Sequence, residues 1–123
     1  MAPSTLTADQ QELLNERIDT LIQIANDRLF AQYPGLFETT IFDIEKKPGK
    51  RYIKLVCNEF HKADMRRKHG SVWAFVDKNT GDVYKPASFA APAKHVRYKL
   101  FDDKSFEEAK KYCGWASGWL YMK

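Results

Sequence analysis

The chain is poor in the residues from which catalytic and metal sites are built. Of 123 residues, two are cysteine and three are histidine. Cys57 and Cys113 are too few for a disulfide scaffold and read as small buried hydrophobes. Cys57, His61 and His69 come nearest to a metal-ligand set. Neither a Cys-x-x-Cys nor a His-x-x-x-His spacing occurs, so no metal and no cofactor is expected. No apolar run approaches the roughly 20 residues needed to span a bilayer, which argues against a membrane partner. The opening MAPSTLTADQQE has no basic region followed by an apolar stretch, and no signal peptide is expected. A nucleophile elbow, a phosphate-cradling glycine loop and a paired-carboxylate motif are also missing. Asp102-Asp103 and Glu107-Glu108 fall where a helix starts and suit the positive end of its dipole. Asp77 and Asp82 flank a turn. These absences favour a binding protein over an enzyme.

What is present supports a folded globule. Hydrophobic residues make up 44% and aromatics 14%, and a chain of this length forms one domain, residues 1–123, with a single core. The net charge of +4 conceals an asymmetry. Residues 1–45 set two arginines against eight acidic residues, a balance of −6, whereas residues 46–104 carry 15 Lys and Arg against six acids, a balance of +9. An acidic amino-terminal part and a basic remainder fit contact with a polyanion, or self-assembly between unlike faces of two copies.

The most informative stretch is residues 70–101. Residues 71–77 alternate, with Val72, Ala74 and Val76 expected on one face and Trp73 and Phe75 on the other. Lys78-Asn79-Thr80-Gly81 reads as a turn in which Asn79 tolerates a left-handed backbone and Gly81 supplies positive φ. Residues 82–85 return as a strand that Pro86 ends. Residues 86–94 form a small-residue loop with one large aromatic, Phe89. Beyond it Val96, Tyr98 and Leu100 are expected to face inward, with His95, Arg97, Lys99 and Phe101 outward, a face suited to phosphates and bases.

The run GSVWAFVDKNTGDVYKPASFAAPAKHVRYKLFDD resembles a recurrent segment of small uncharacterised proteins of tailed bacteriophages. A hydrophobic strand, a D-x-x-T-G-D-V turn and a K-x-A-S/G-x-x-A-P-A-K loop follow there in the same order. Phe89-Ala90 stands where that segment has tryptophan and lysine. The similarity covers residues 70–103, about a quarter of the chain, and Gly114-Trp115 onward resembles the aromatic-glycine ending of such proteins. It implies a viral accessory or structural protein, in the host cytoplasm or the virion, and no particular activity.

Elsewhere, Thr7 and Gln10 form a capping box that opens a helix near Ala8. Leu14, Ile18, Leu21, Ala25 and Leu29 give it an apolar stripe, and Tyr33-Pro34-Gly35 stops it. At about 40 Å it is longer than a small sheet needs, so part of it could pack on another subunit. Residues 38–45 and 51–58 pattern as an antiparallel hairpin across Lys46-Lys47-Pro48-Gly49-Lys50. Residues 59–69 read as a helical turn or a loop and hold the densest positive cluster, Arg66-Arg67-Lys68-His69. Ser105 and Glu108 suggest a second capping box for a helix over 106–113, and Trp115 and Trp119 read as core plugs.

The expected fold is α+β: an antiparallel sheet of four to five strands, with a long amino-terminal helix and a short carboxy-terminal helix on one face. The expected function is nucleic-acid binding on the free face. Lys54, Arg66, Arg67, Lys68, Lys85, Lys94, Arg97 and Lys99 would meet phosphates, and Trp73, Tyr84 or Phe89 would stack on bases. The alternative is a protein-interaction factor, either an inhibitor of a host protein or a self-assembling virion component. A third reading places a small anionic ligand, such as a nucleotide messenger, in the loop 86–94.

Overall fold

A computed structural model describes residues 6–121; Met122, expected in the aromatic ending, and residues 1–5 of the opening segment lie outside the described residues. Helix α1 spans Ala8–Gln32. The capping box is formed: Thr7 Oγ1 accepts the Gln10 N–H at 3.1 Å, and Gln10 Oε1 accepts the Thr7 N–H at 2.9 Å. Leu14, Ile18, Leu21 and Ala25 are its buried residues. It ends where Tyr33 still donates to Leu29 O and Pro34 opens a 3-10 turn, Pro34–Glu38.

Five antiparallel strands follow: β1 (Thr40–Pro48), β2 (Tyr52–His61), β3 (Arg67–Asp77), β4 (Asp82–Pro86) and β5 (Pro92–Lys99). They pair as a meander in chain order. Helix α2 (Asp103–Tyr112) and a 3-10 turn, Ser117–Tyr121, close the described chain. The result is the expected α+β fold. Ile44, Ile53, Leu55, Cys57, Val76, Val83 and Tyr98 project from the sheet into one core with the α1 stripe and with Phe106 and Ala109 of α2.

Two irregularities correct the expected facing. Leu55 pairs with Ala74 but Val56 with Val72, so Trp73 is an extra residue on β3. This bulge turns Trp73 into the core beside Ala74 and Val76, while Val72 shares the opposite face with Phe75. A second bulge lies at Arg97, between the pairs Val83–Tyr98 and Tyr84–Val96. Tyr98 and Leu100 are buried as expected, but Val96 faces away from the core and is 36% exposed.

The turn between β3 and β4 needs its glycine. Gly81 has φ of +73°, and a Cβ there would lie 2.7 Å from the Phe101 ring. Asn79 needs no left-handed backbone; its N–H and that of Thr80 donate to Asp77 Oδ1. The expected Ser105 cap is also displaced. Asp102 caps α2 by accepting the Lys104 N–H, and Ser105 Oγ accepts the Lys99 N–H instead.

The carboxy-terminal aromatics plug the core. Trp119 stacks on Tyr98 at 5.3 Å and lies 5.0 Å from Trp73. Tyr98 Oη donates to Trp119 O, and Trp73 Nε1 donates to Gly114 O, both at 2.9 Å. Both arginines of α1 fasten this part of the chain. Arg17 donates to Leu100 O and pairs with Asp103, while Arg28 donates to Cys113 O. The exposed surface of α1 therefore keeps Glu12, Glu16, Asp19 and Asp27.

Candidate functional site

The sheet face away from α1 is laid out by register. One row crosses all five strands as Lys47, Lys54, Phe75, Tyr84 and Val96. Towards the end of the sheet where β2 leaves and β3 enters come Glu45, Val56 and Val72, then Asp43, Asn58 and Gly70, then Ile41, Phe60 and Arg67. This face has a small apolar centre of its own. Val56 and Phe75 are buried, and Tyr52 packs edge-on against Phe75 and Tyr84. Burial, with Asp82 nearby, raises the Tyr84 phenol above its ordinary pKa. Asp43 and Glu45 along β1 also make the face less uniformly basic than expected.

The predicted residues separate into groups. Lys54 and Arg67 belong to the open face by register, and Lys94 stands two positions before Val96 on β5. Lys54 Nζ sits 4.2 Å from the Phe89 ring centroid, a cation–π contact. Arg67 reaches over Gly70 and donates to Asn58 Oδ1 at 2.7 Å, and Asn58 in turn donates to Glu45. Lys68 is the extra residue of a further bulge between the pairs Glu59–His69 and Phe60–Arg67. It turns toward the helix-covered side and donates to Thr40 Oγ1 at 3.0 Å. Arg66 is exposed in the β2–β3 turn. Arg97 and Lys99 line a cleft against α2 with Ser105 and Glu108, away from this group, and Lys85 is half-buried on β4. Trp73 is 1% exposed and cannot stack on a base: its bulge commits it to the core. Tyr84 is half-buried, and Phe89 is 55% exposed.

The cations of the β2–β3 end and of the adjoining open face take neutral partners, as Arg28 and Lys78 do elsewhere. The ion pairs Arg17–Asp103, Lys46–Asp19, Arg51–Asp77 and Lys110–Glu107 lie elsewhere. Lys54, Arg67 and Lys68 instead contact a ring, an amide and a hydroxyl, so their charges are held by neutral partners. Lys62 behaves alike, donating to Phe37 O at 3.3 Å. The cysteines are sealed. Burial, with Glu59 and Asp43 adding to it, pushes the Cys57 thiol up to about 12, and burial pushes Cys113 up to about 11. Such thiols are poor nucleophiles and poor metal ligands at neutral pH. Among the described residues, no group of three His, Cys, Asp or Glu converges, and no helix is long and apolar enough to cross a membrane.

Residues 6–122 match a family of unknown function, DUF7717. The chain belongs to that family. No curated protein and no solved structure matches the chain. Membership of DUF7717 names no chemistry, so the site rests on its geometry. Sequence reasoning passed over Lys62 and Gly70. Lys62 shares the EFHKADMRRKH segment with the cations that were singled out, and hairpin pairing of that segment would have placed it at the same end. Gly70 carries no local signal, because its role is to leave room for the side chain of Arg67.

Proposed function

We propose that this DUF7717 chain binds a nucleic acid through the β2–β3 end of its sheet and the adjoining open face. Lys54, Arg66, Arg67, Lys68 and Lys94 take the phosphates, and Phe89 offers a ring to a base. The observation that carries the reading is the neutral partnering of Lys54, Arg67 and Lys68, which leaves positive charge for an external anion. The likeness of residues 70–103 to a tailed-phage segment supports a viral accessory role, exercised in the host cytoplasm or the virion. Nothing in the reading calls for catalysis. The test is fluorescence anisotropy of a labelled oligothymidylate as salt is raised. Affinity should fall steeply, because each neutralised phosphate releases counterions; affinity that stays flat sinks the proposal.

A second reading has its own observation. Phe30, Tyr33 and Leu36 are 53%, 50% and 46% exposed where α1 ends. Three large apolar side chains together favour a protein partner, whether a host protein or another copy. A stable oligomer seen by light scattering without nucleic acid supports that reading, and a strict monomer counts against self-assembly.

A further inference from the structure

We infer that the cleft between β3 and the β4–β5 loop is a subsite for one nucleobase, stacked on Phe89 with its phosphate at Arg67. The inference rests on the polyanion reading and narrows it to one place. β3 pairs with β4 through Phe75–Tyr84 and Val76–Val83, so its border at residues 70–73 runs on without a β4 partner. The loop after β4 stands across the gap. Between them lies a cavity of about 310 Å³, with residues 70–72 on one wall and residues 86–89 on the other. That volume is at the small end of ligand sites.

Each wall supplies what a base requires. The β3 wall is made by Gly70, Ser71 and Val72, so its small side chains leave backbone N–H and C=O groups within reach of a base edge. The loop wall is organised before any ligand arrives. Ala87 and Ser88 donate their N–H groups to Ala91 O, and Ser88 Oγ accepts those of Ala90 and Ala91. Phe89 is thus displayed from a bonded turn, exposed, with the Lys54 ammonium against its ring. An aromatic ring on a stiff turn stacks on any base, because every base has a π-face.

The charge lies at the lip. Arg67 crosses Gly70 so closely that a Cβ at that position would collide with its guanidinium. Its bond to Asn58 occupies one of five N–H donors and orients the guanidinium. A planar fork over Gly70 on one wall and an exposed ring on the other, with the Lys54 ammonium against that ring, match an anionic aromatic unit. That combination selects a nucleotide over a neutral apolar ligand.

The test compares a short labelled oligothymidylate with an abasic strand of equal length and phosphate number. The intact protein should hold the thymidylate about tenfold tighter. Phe89→Ala should abolish the difference, and Phe89→Trp should preserve it. Melting curves confirm that both variants fold, as expected for an exposed loop position. Equal affinity of the intact protein for the two strands overturns the subsite and leaves polyanion binding standing. So does discrimination that survives Phe89→Ala. If the intact protein holds neither strand, the broader reading falls as well, a different and recognisable result.

Discussion

Neutralising Arg66 and Lys68 together should flatten the salt dependence of nucleic-acid binding. Five cations are assigned to phosphates, and a single strand contributes a slope of about −0.7 in log affinity against log salt for each phosphate neutralised. The intact protein should therefore show a slope of about −3.5, so a fourfold rise in salt weakens binding about 130-fold. Arg66→Gln with Lys68→Gln leaves three contacts and a slope of about −2.1, which is about 18-fold over the same range. The control is Lys46→Gln with Lys110→Gln, which removes the same charge from two pairs, Lys46–Asp19 and Lys110–Glu107. Breaking exposed pairs of that kind costs about 0–1 kcal/mol of stability, so the control should fold. Anisotropy titrations at several salt concentrations give all three slopes. If the control lowers the slope as much as the test pair, net charge rather than a focused interface governs binding, and the assignment is refuted.

Further expectations follow from the packing. Gly81→Ala forces a left-handed alanine against Phe101 and should cost at least about 1–2 kcal/mol, a drop of about 4–8 °C in Tm; an unchanged Tm would contradict the geometry. Met65 holds φ of 59° in an exposed turn, so Met65→Gly should go the other way, stabilising by about 0.5–1 kcal/mol. Trp73→Phe loses the bond to Gly114 O and should cost about 1–2 kcal/mol in urea unfolding while leaving nucleic-acid affinity unchanged; weakened binding in a folded variant would put Trp73 back at the interface. The thiols give a pH signature. Their folded pKa values are raised, so the unfolded chain loses these protons first, and stability should decline as pH rises from about 9 toward about 11 and about 12. Comparing urea midpoints at pH 8 and pH 10.5 tests this, since Cys57→Ala with Cys113→Ala should shrink the difference.

Local chemistry carried much of the architecture. The Thr7–Gln10 box, the Leu14 to Ala25 stripe and Gly81 each announce a feature within a few residues of themselves, and each appears in the structure. The hairpin strands were legible for the same reason. Facing was not, wherever a bulge intervened. Trp73, Arg97 and Lys68 sit at irregular positions, and a single added residue sends everything beyond it to the other side while leaving composition unchanged. Ser105 misled because Asp102 could also cap, and the choice was settled by the distant Lys99 N–H. For the candidate site, the cation cluster near Arg66 was visible, but its neutral partners were not. Asn58, Thr40 and Phe89 come from three other parts of the chain, and only the register brings them to these side chains.

A sheet whose strands pair strictly in chain order has two outer strands, each presenting a line of backbone groups that a second sheet could zip onto. Positive charge discourages such zipping, and β5 carries Lys94, His95, Arg97 and Lys99 within six positions, while β1 finishes in Lys46-Lys47-Pro48. The cations of β5 therefore have an occupation that requires no ligand, which is to keep neighbouring copies apart. Exchanging Arg97 and Lys99 for threonine, with Lys94 kept, should first appear as clumping in concentrated samples, even where affinity for nucleic acid is untouched.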